Sequence, residues 1–262
     1  MFRPMSADLN FRVWEGVYGS FAEAPAAGPG FDGPLWRDRS IAAARETLAQ
    51  AEAGNAIDYA LRQRNALLPS LTATLLTEQE RVGILDFGGG LGTGYMVLIR
   101  TMPEAVARVD YTVVDVESIA AVGREIFFGR NAPTFQSMLP AGKRFDIVHG
   151  ASVLQYIEDW RGMLTQLAGY GGRFLSLADI FAGDFKTYVS TQHYYASRIP
   201  HWFFDASEFV AAVEQTGYRL ALRAECDAKV LGQYGPLQMD NFPAELRIAH
   251  TSNFLFYRRS AG

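Results

Sequence analysis

The sequence predicts an α/β fold with a mostly parallel sheet, and three observations lead there. Beyond residue 80, short apolar runs alternate with amphipathic stretches, the pattern of strands joined by crossover helices. Residues 82–87 run into five glycines within the seven residues 88–94, and apolar residues then resume, which reads as strand, tight turn and helix start. Residues 218–225 and 253–257 both read as strands without a helical pattern between them, so they should pair antiparallel.

Taken in order, residues 1–34 carry Phe11, Trp14, Tyr18 and Phe21, then Pro25, Gly28, Pro29, Gly30, Gly33 and Pro34. So many breakers leave little room for a long regular element, yet the aromatics favour burial, which predicts an arm or lid over the main domain. In residues 35–80, Ile41, Leu48, Ile57, Leu61, Leu68, Leu71 and Leu75 recur at roughly helical spacing, predicting two or three helices with Pro69 starting or breaking one. Residues 1–80 are thus expected to form an N-terminal aromatic arm and helical cap, and 81–262 the main domain. There, strand 82–87 precedes helix 95–102. Strand 111–114 ends at Asp115 and leads into helix 119–128. A short strand follows at 134–136, and a buried one at 145–149 is closed by Gly150. Helix 160–167, strand 173–177 and helix 206–216 come next, the last with Asp205 as N-cap and Gly217 as its stop.

Composition narrows the partners. Hydrophobic residues make up 49% of 262 and charged residues 20%, enough for a sizeable core. A net charge of −4 offers no general attraction for nucleic acid or anionic membranes, so neither is expected as a partner. Cys226 is the only cysteine, which excludes an internal disulfide and a thiolate zinc cluster. No histidine pair or carboxylate cluster has metal-ligand spacing, so no metal is expected. The start lacks a secretory apolar core and no stretch of about 18 apolar residues occurs, so a cytoplasmic protein is the expectation.

The register of the glycines selects among ligands. A dinucleotide turn needs Gly-x-Gly-x-x-Gly; from Gly88 the third position falls on Thr93, and from Gly90 on Tyr95. A phosphate loop needs a lysine that this turn lacks. What fits is acid-x-Gly-x-Gly-x-Gly at Asp86, Gly88, Gly90 and Gly92. Asp115 ends the second strand, where a carboxylate can accept hydrogen bonds from ribose hydroxyls, and Glu117 could substitute if that strand ends later. This arrangement resembles motif I of the class I S-adenosylmethionine-dependent methyltransferases. The resemblance implies a Rossmann-like fold with a seven-stranded, mostly parallel sheet, its last strand antiparallel, preceded by the helical N-terminal segment. It implies S-adenosyl-L-methionine as cofactor, with the glycine turn on the methionine part and Asp86 orienting the ammonium and the turn. It also implies ribose contacts from Asp115 and Val116, adenine contacts around Ser137 and Met138, and methionine contacts at Gly150 and Ser152 with His149 beside them.

Three further stretches, residues 16–24, 152–159 and 195–202, resemble an uncharacterised methyltransferase family often encoded among bacterial surface-polysaccharide genes. That similarity runs from about Trp14 to Tyr257 and implies methylation of a small-molecule acceptor, a sugar or glycan precursor among the options, at oxygen or nitrogen. This chain departs from it with Gly90 in place of a serine, Asp115 in place of a glutamate and Ile199 in place of an aromatic.

A hydroxyl acceptor needs a base, whereas an unprotonated amine does not. His193 and His201, in the aromatic stretch 192–204, and Asp179, just beyond the fifth strand, are the candidates. His149 reads as a cofactor contact or a satisfied core histidine, and His250 as surface. Trp14, Tyr18, Tyr195 and Trp202 are the candidate acceptor contacts, with Tyr194, Phe203 and Phe204 beside them. The segments around Trp14 and Trp202 are expected to meet over the glycine turn. A second copy of the chain is one option as a partner. The alternatives in other classes are a non-catalytic binding or scaffold module on this fold and a nicotinamide oxidoreductase, the latter opposed by the glycine register.

Overall fold

The computed structural model describes residues 12–230 and 233–258; Phe11 and the chain start lie outside the described residues. The first element is a five-residue strand, β1 (Trp14–Tyr18), where sequence favoured an irregular arm. Three helices follow: α1 (Pro34–Glu52), α2 (Tyr59–Arg64) and α3 (Leu67–Leu76). Pro34 opens α1 at its first position, where the missing N–H leaves no bond unmade. Pro69 lies in the first turn of α3 for the same reason. Asp58 caps α2 by accepting from the N–H groups of Ala60 and Leu61.

The alternating region folds as β2 (Val82–Phe87), α4 (Thr93–Thr101), β3 (Val109–Val114), α5 (Glu117–Ile126), β4 (Thr134–Gln136), β5 (Ile147–Ala151), α6 (Trp160–Gly169) and β6 (Phe174–Ile180). Beyond these come β7 (Ala182–Gly183), β8 (Tyr188–Tyr194), β9 (Ser197–Asp205), α7 (Ala206–Glu214), β10 (Tyr218–Cys226), β11 (Lys229–Val230), β12 (Gln233–Tyr234) and β13 (Thr251–Arg258). The main sheet has the order β10-β13-β6-β5-β2-β3-β4. Its strands run parallel except β13, which is antiparallel to both neighbours. Val82, Ile84, Leu85, Ile147, Val148 and Leu175 are fully buried, as strands covered on both faces require.

One core joins the N-terminal helices to this sheet: Leu48, Leu68, Leu71 and Leu75 pack in the same cluster as Ile84, Tyr95 and Val113. The cap therefore shares its apolar burial with the sheet below it. Both sheet edges are blunt. β4 has three residues, while β10 carries a bulge between Leu220 and Leu222 and hands its Leu220 N–H to the Glu214 carboxylate. Among the described residues no helix is long and apolar enough to cross a membrane.

Most element ends shift by a few residues, and two of these shifts bear on the site. β5 continues through Gly150, because a glycine extends a strand where the neighbouring main chain is close; a Cβ there would stand 3.4 Å from Phe87 O. β6 runs to Ile180, so Asp179 lies within it and not beyond it. The larger difference is a second sheet, of order β1-β8-β9-β7, in place of loops over residues 192–204. β8 and β9 form an antiparallel hairpin, with Ser190 opposite His201, and β1 adds to the outer side of β8. Trp202, Phe203 and Phe204 are consecutive aromatics because both faces of β9 are covered, which erases the alternation that marks a half-buried strand.

Candidate functional site

The glycine turn leaves the C-terminal end of β2, in the centre of the sheet, where ligands of open α/β sheets gather. Gly88, Gly90 and Gly92 all have positive φ, at +68°, +57° and +81°. Only at Gly90 does the missing side chain face open space, with no atom within 4 Å of a Cβ built there. At Gly89 and Gly94 the reason for glycine is different: a Cβ would strike the Asp86 carboxylate or the Tyr111 hydroxyl. Tyr111 Oη thereby reaches under the turn and donates to Asp86 Oδ2 at 2.7 Å. Asp86 is 2% exposed, and burial pushes its pKa up to about 7 with help from the nearby Asp115 charge, while the Tyr111 bond opposes the rise.

Asp115 follows β3 and faces the same opening. Its Oδ2 accepts the Gly90 N–H at 2.9 Å and its Oδ1 the Val116 N–H at 2.8 Å, so one carboxylate fixes both the turn and the start of α5. Partial burial raises its pKa, against which the two N–H bonds act. Val116, next in the chain, is 52% exposed, and Met138, two residues beyond β4, is 78% exposed. Ser137, beside Met138, is exposed and its hydroxyl bonds Glu117. Glu117 also pairs with Arg124, so it is no substitute for Asp115.

On the other side of the turn, the ends of β5 and β6 carry two non-glycine residues in the left-handed region, Ser152 at φ +56° and Asp179 at φ +54°. Residues forced into this region cluster at functional sites. Ser152 Oγ donates to Asp179 Oδ2, Thr251 Oγ1 donates to Asp179 Oδ1 at 2.6 Å, and Asn253 Oδ1 accepts the Asp179 N–H at 2.9 Å. Arg64, at the end of α2, donates from Nη1 to Ser152 Oγ at 3.2 Å and stands 3.8 Å from Asp179 Oδ2. Its side chain keeps 31% exposure, whereas that of Asp179 keeps 8%. His149 is a satisfied core histidine: Nδ1 accepts from Ser176 Oγ at 3.1 Å and Nε2 donates to Asn65 Oδ1 at 3.2 Å, and burial lowers its pKa to about 4.

An aromatic cup lies next to Arg64. Phe31 packs edge-on against Tyr156 at 4.9 Å and Trp36 at 5.6 Å, and tilted against Tyr194 at 5.6 Å. Trp36 Nε1 donates to Tyr194 Oη, and Tyr156 Oη donates to Gln192 Oε1. Burial pushes the Tyr194 hydroxyl up to about 12.

Several expected site residues sit elsewhere. His201 is not on a substrate loop. It belongs to β9, is fully buried behind Tyr156 among Trp14, Phe181 and Phe203, and neither ring nitrogen has a hydrogen-bond partner among the described residues. Burial lowers its pKa to about 3. His193 is likewise in a strand, its Nε2 3.1 Å from Glu15 Oε2. Trp14 is buried against Phe181 on one face of β9, while Trp202 lies on the other, against Phe21 and with its Nε1 on Ile157 O. The segments around them do come together, in one sheet through β8 and with Phe21 on Trp202, but the two tryptophans lie on opposite faces of the strand. Tyr18 ends β1 and folds over Gly16, and Tyr195 is the exposed tip of the β8–β9 hairpin beneath Arg39. The sequence reading missed Arg64, Tyr111, Phe31, Trp36 and Tyr156. Arg64 reads in sequence as an ordinary basic residue at a helix C-terminus. No sequence signal marks Tyr111, because its partner is set by the pairing of β2 with β3.

No family model and no curated protein matches the sequence. Solved structures do match. One is an S-adenosylmethionine-dependent methyltransferase from Clostridium acetobutylicum, with 11% identity over 86% of this chain and 100% of that one and a TM-score of 0.52. Another is the 1,6-didemethyltoxoflavin-N1-methyltransferase of Burkholderia thailandensis, solved with 1,6-didemethyltoxoflavin and S-adenosylhomocysteine. It shares 14% identity over 90% of this chain and 94% of its own, with a TM-score of 0.50. With its mixed seven-stranded sheet, mostly parallel and carrying an antiparallel C-terminal strand, the chain has the α/β fold of the class I S-adenosylmethionine-dependent methyltransferases.

Proposed function

We propose that this protein transfers a methyl group from S-adenosylmethionine to a small-molecule acceptor. The observation that carries the reading is Gly90: a left-handed residue whose side-chain direction is open and whose N–H is locked onto Asp115. That is main chain shaped for close approach by a ligand, with a carboxylate placed beside it. The residues present fit the cofactor. Asp115 can accept from two ribose hydroxyls through lone pairs left free by its N–H bonds, and Val116 and Met138 offer apolar faces for a base. Asp86 and Arg64 supply opposite charges for an ammonium and a carboxylate, with Gly150 and Ser152 alongside.

When bound, S-adenosylmethionine supplies an electrophilic methyl group on a good leaving group. The chain's own task is then to align an acceptor and exclude water. Arg64, Ser152, Tyr156 and Tyr194 lie on the same side of the turn, and the flat faces and hydroxyls of the two tyrosines, against which Phe31 packs, suit a ring carrying polar substituents. A sugar or glycan precursor is one such acceptor, which the family resemblance also supports. For a hydroxyl acceptor, Asp179 reached through Ser152 Oγ is the base this geometry favours; His201 is fully buried and His193 faces Glu15.

The test is titration calorimetry with S-adenosylhomocysteine. The wild type is expected to bind and Gly90→Val to lose binding while still unfolding cooperatively, at a midpoint lowered by the strain of a β-branched residue at φ +57°. Full affinity in Gly90→Val would mean that the cofactor lies elsewhere. Cofactor binding with no methyl transfer to any acceptor in cell extracts would favour the non-catalytic binding module.

A further inference from the structure

Residues 28–33 run from the β8–β9 hairpin to the first turn of α5 and touch both halves of the proposed site. At one end the chain is tied to the β8–β9 hairpin: Ala27 and Arg198 exchange two main-chain bonds, and Gly30 N–H donates to Ser197 Oγ at 2.9 Å. Gly28 is glycine because a Cβ would strike Ala196 O, and Gly28 and Gly30 turn the chain at φ +82° and +59°. Phe31 then drops into the cup of Trp36, Tyr156 and Tyr194. The next residue, Asp32, accepts from Ser118 Oγ at 3.1 Å, and Ser118 lies in the first turn of α5, three residues past Asp115. Two adjacent side chains of one strap thus reach opposite ends of the site.

We infer that this strap couples the two halves, so that a ligand held by Asp115 fixes Phe31 over the acceptor cup through Asp32 and Ser118. The coupling rests on the functional reading above. A ligand held by Asp115 orders the first turn of α5, which carries Ser118. The Asp32–Ser118 bond passes that order to the residue before it. Cofactor therefore binds first, and the acceptor meets a cup already shaped by Phe31. Asp32 and Ser118 are exposed, so removing either leaves the ribose carboxylate and the glycine turn intact.

Hydrogen–deuterium exchange of residues 28–36 tests this, read alongside calorimetry with S-adenosylhomocysteine. In the wild type, saturating ligand is expected to slow exchange across 28–36 several-fold. In Asp32→Ala and in Ser118→Ala, ligand affinity is expected to stay within about twofold, as for other surface substitutions, while the slowing disappears. Binding without slowing in the wild type, or undiminished slowing in both variants, would overturn the coupling alone. No binding of S-adenosylhomocysteine to the wild type would overturn the functional reading and the coupling with it.

Discussion

Two side chains decide the electrostatics of the site. Asp86 has a pKa near 7 against 3.8 for an ordinary aspartate, so the folded state holds its proton longer than the unfolded chain does. Its contribution to stability is present below about pH 4 and is lost as pH rises through 7. Only the ionised form attracts an ammonium, so the change that weakens the fold readies the site. The affinity for S-adenosylhomocysteine is expected to rise roughly tenfold between about pH 6 and about pH 8, and Asp86→Asn to flatten that profile, as calorimetry at several pH values would read. Arg64 gives a second prediction. If its guanidinium holds the ligand carboxylate, Arg64→Gln should weaken S-adenosylhomocysteine binding about tenfold or more and leave methylthioadenosine, which lacks the carboxylate, bound as before. Equal affinity of both ligands for the variant and the wild type would remove Arg64 from the site.

At the scale of elements, the second sheet accounts for the histidine that sequence placed on a loop. His201 faces Phe181 at 4.4 Å inside that sheet, and two unpaired ring nitrogens in an apolar environment are destabilising. His201→Phe is expected to raise stability by about 1 kcal/mol in urea unfolding at neutral pH. The histidine's depressed pKa of about 3 stabilises the fold above about pH 6.5, and that contribution is lost as pH falls through 3. The variant should lack this part of the acid slope, while His149, with a pKa near 4, keeps its own. An unchanged acid slope in His201→Phe would count against the buried neutral ring. Elements with a local cause were legible from sequence: β2 and β4 match their expected bounds, and Asp205 caps α7 through the N–H groups of Ser207 and Glu208. β9 was not, because its consecutive aromatics carry no period when both faces are buried; nor were β1, interrupted by Gly16, and β8, which buries the polar Ser190, Thr191 and Gln192.

For the whole molecule, the part of the candidate site that follows two neighbouring strands could be read from sequence, and the part assembled from distant segments could not. Asp86, Gly90 and Asp115 come together through the parallel pairing of β2 with β3, which any alternating α/β sequence implies. Arg64, Phe31 and Tyr156 come from three separate segments whose meeting depends on how the cap helices and the second sheet dock, information that no single stretch holds. The sheet that supports them is finite by construction. Its last strand on one side is too short to template a neighbour, and on the other the Glu214 carboxylate already occupies an outward N–H beside a bulge. Such edges discourage strand-by-strand addition of further chains. A second copy is accordingly hindered from lengthening this seven-stranded sheet at either end, and its contacts with these two edges would have to run through side chains.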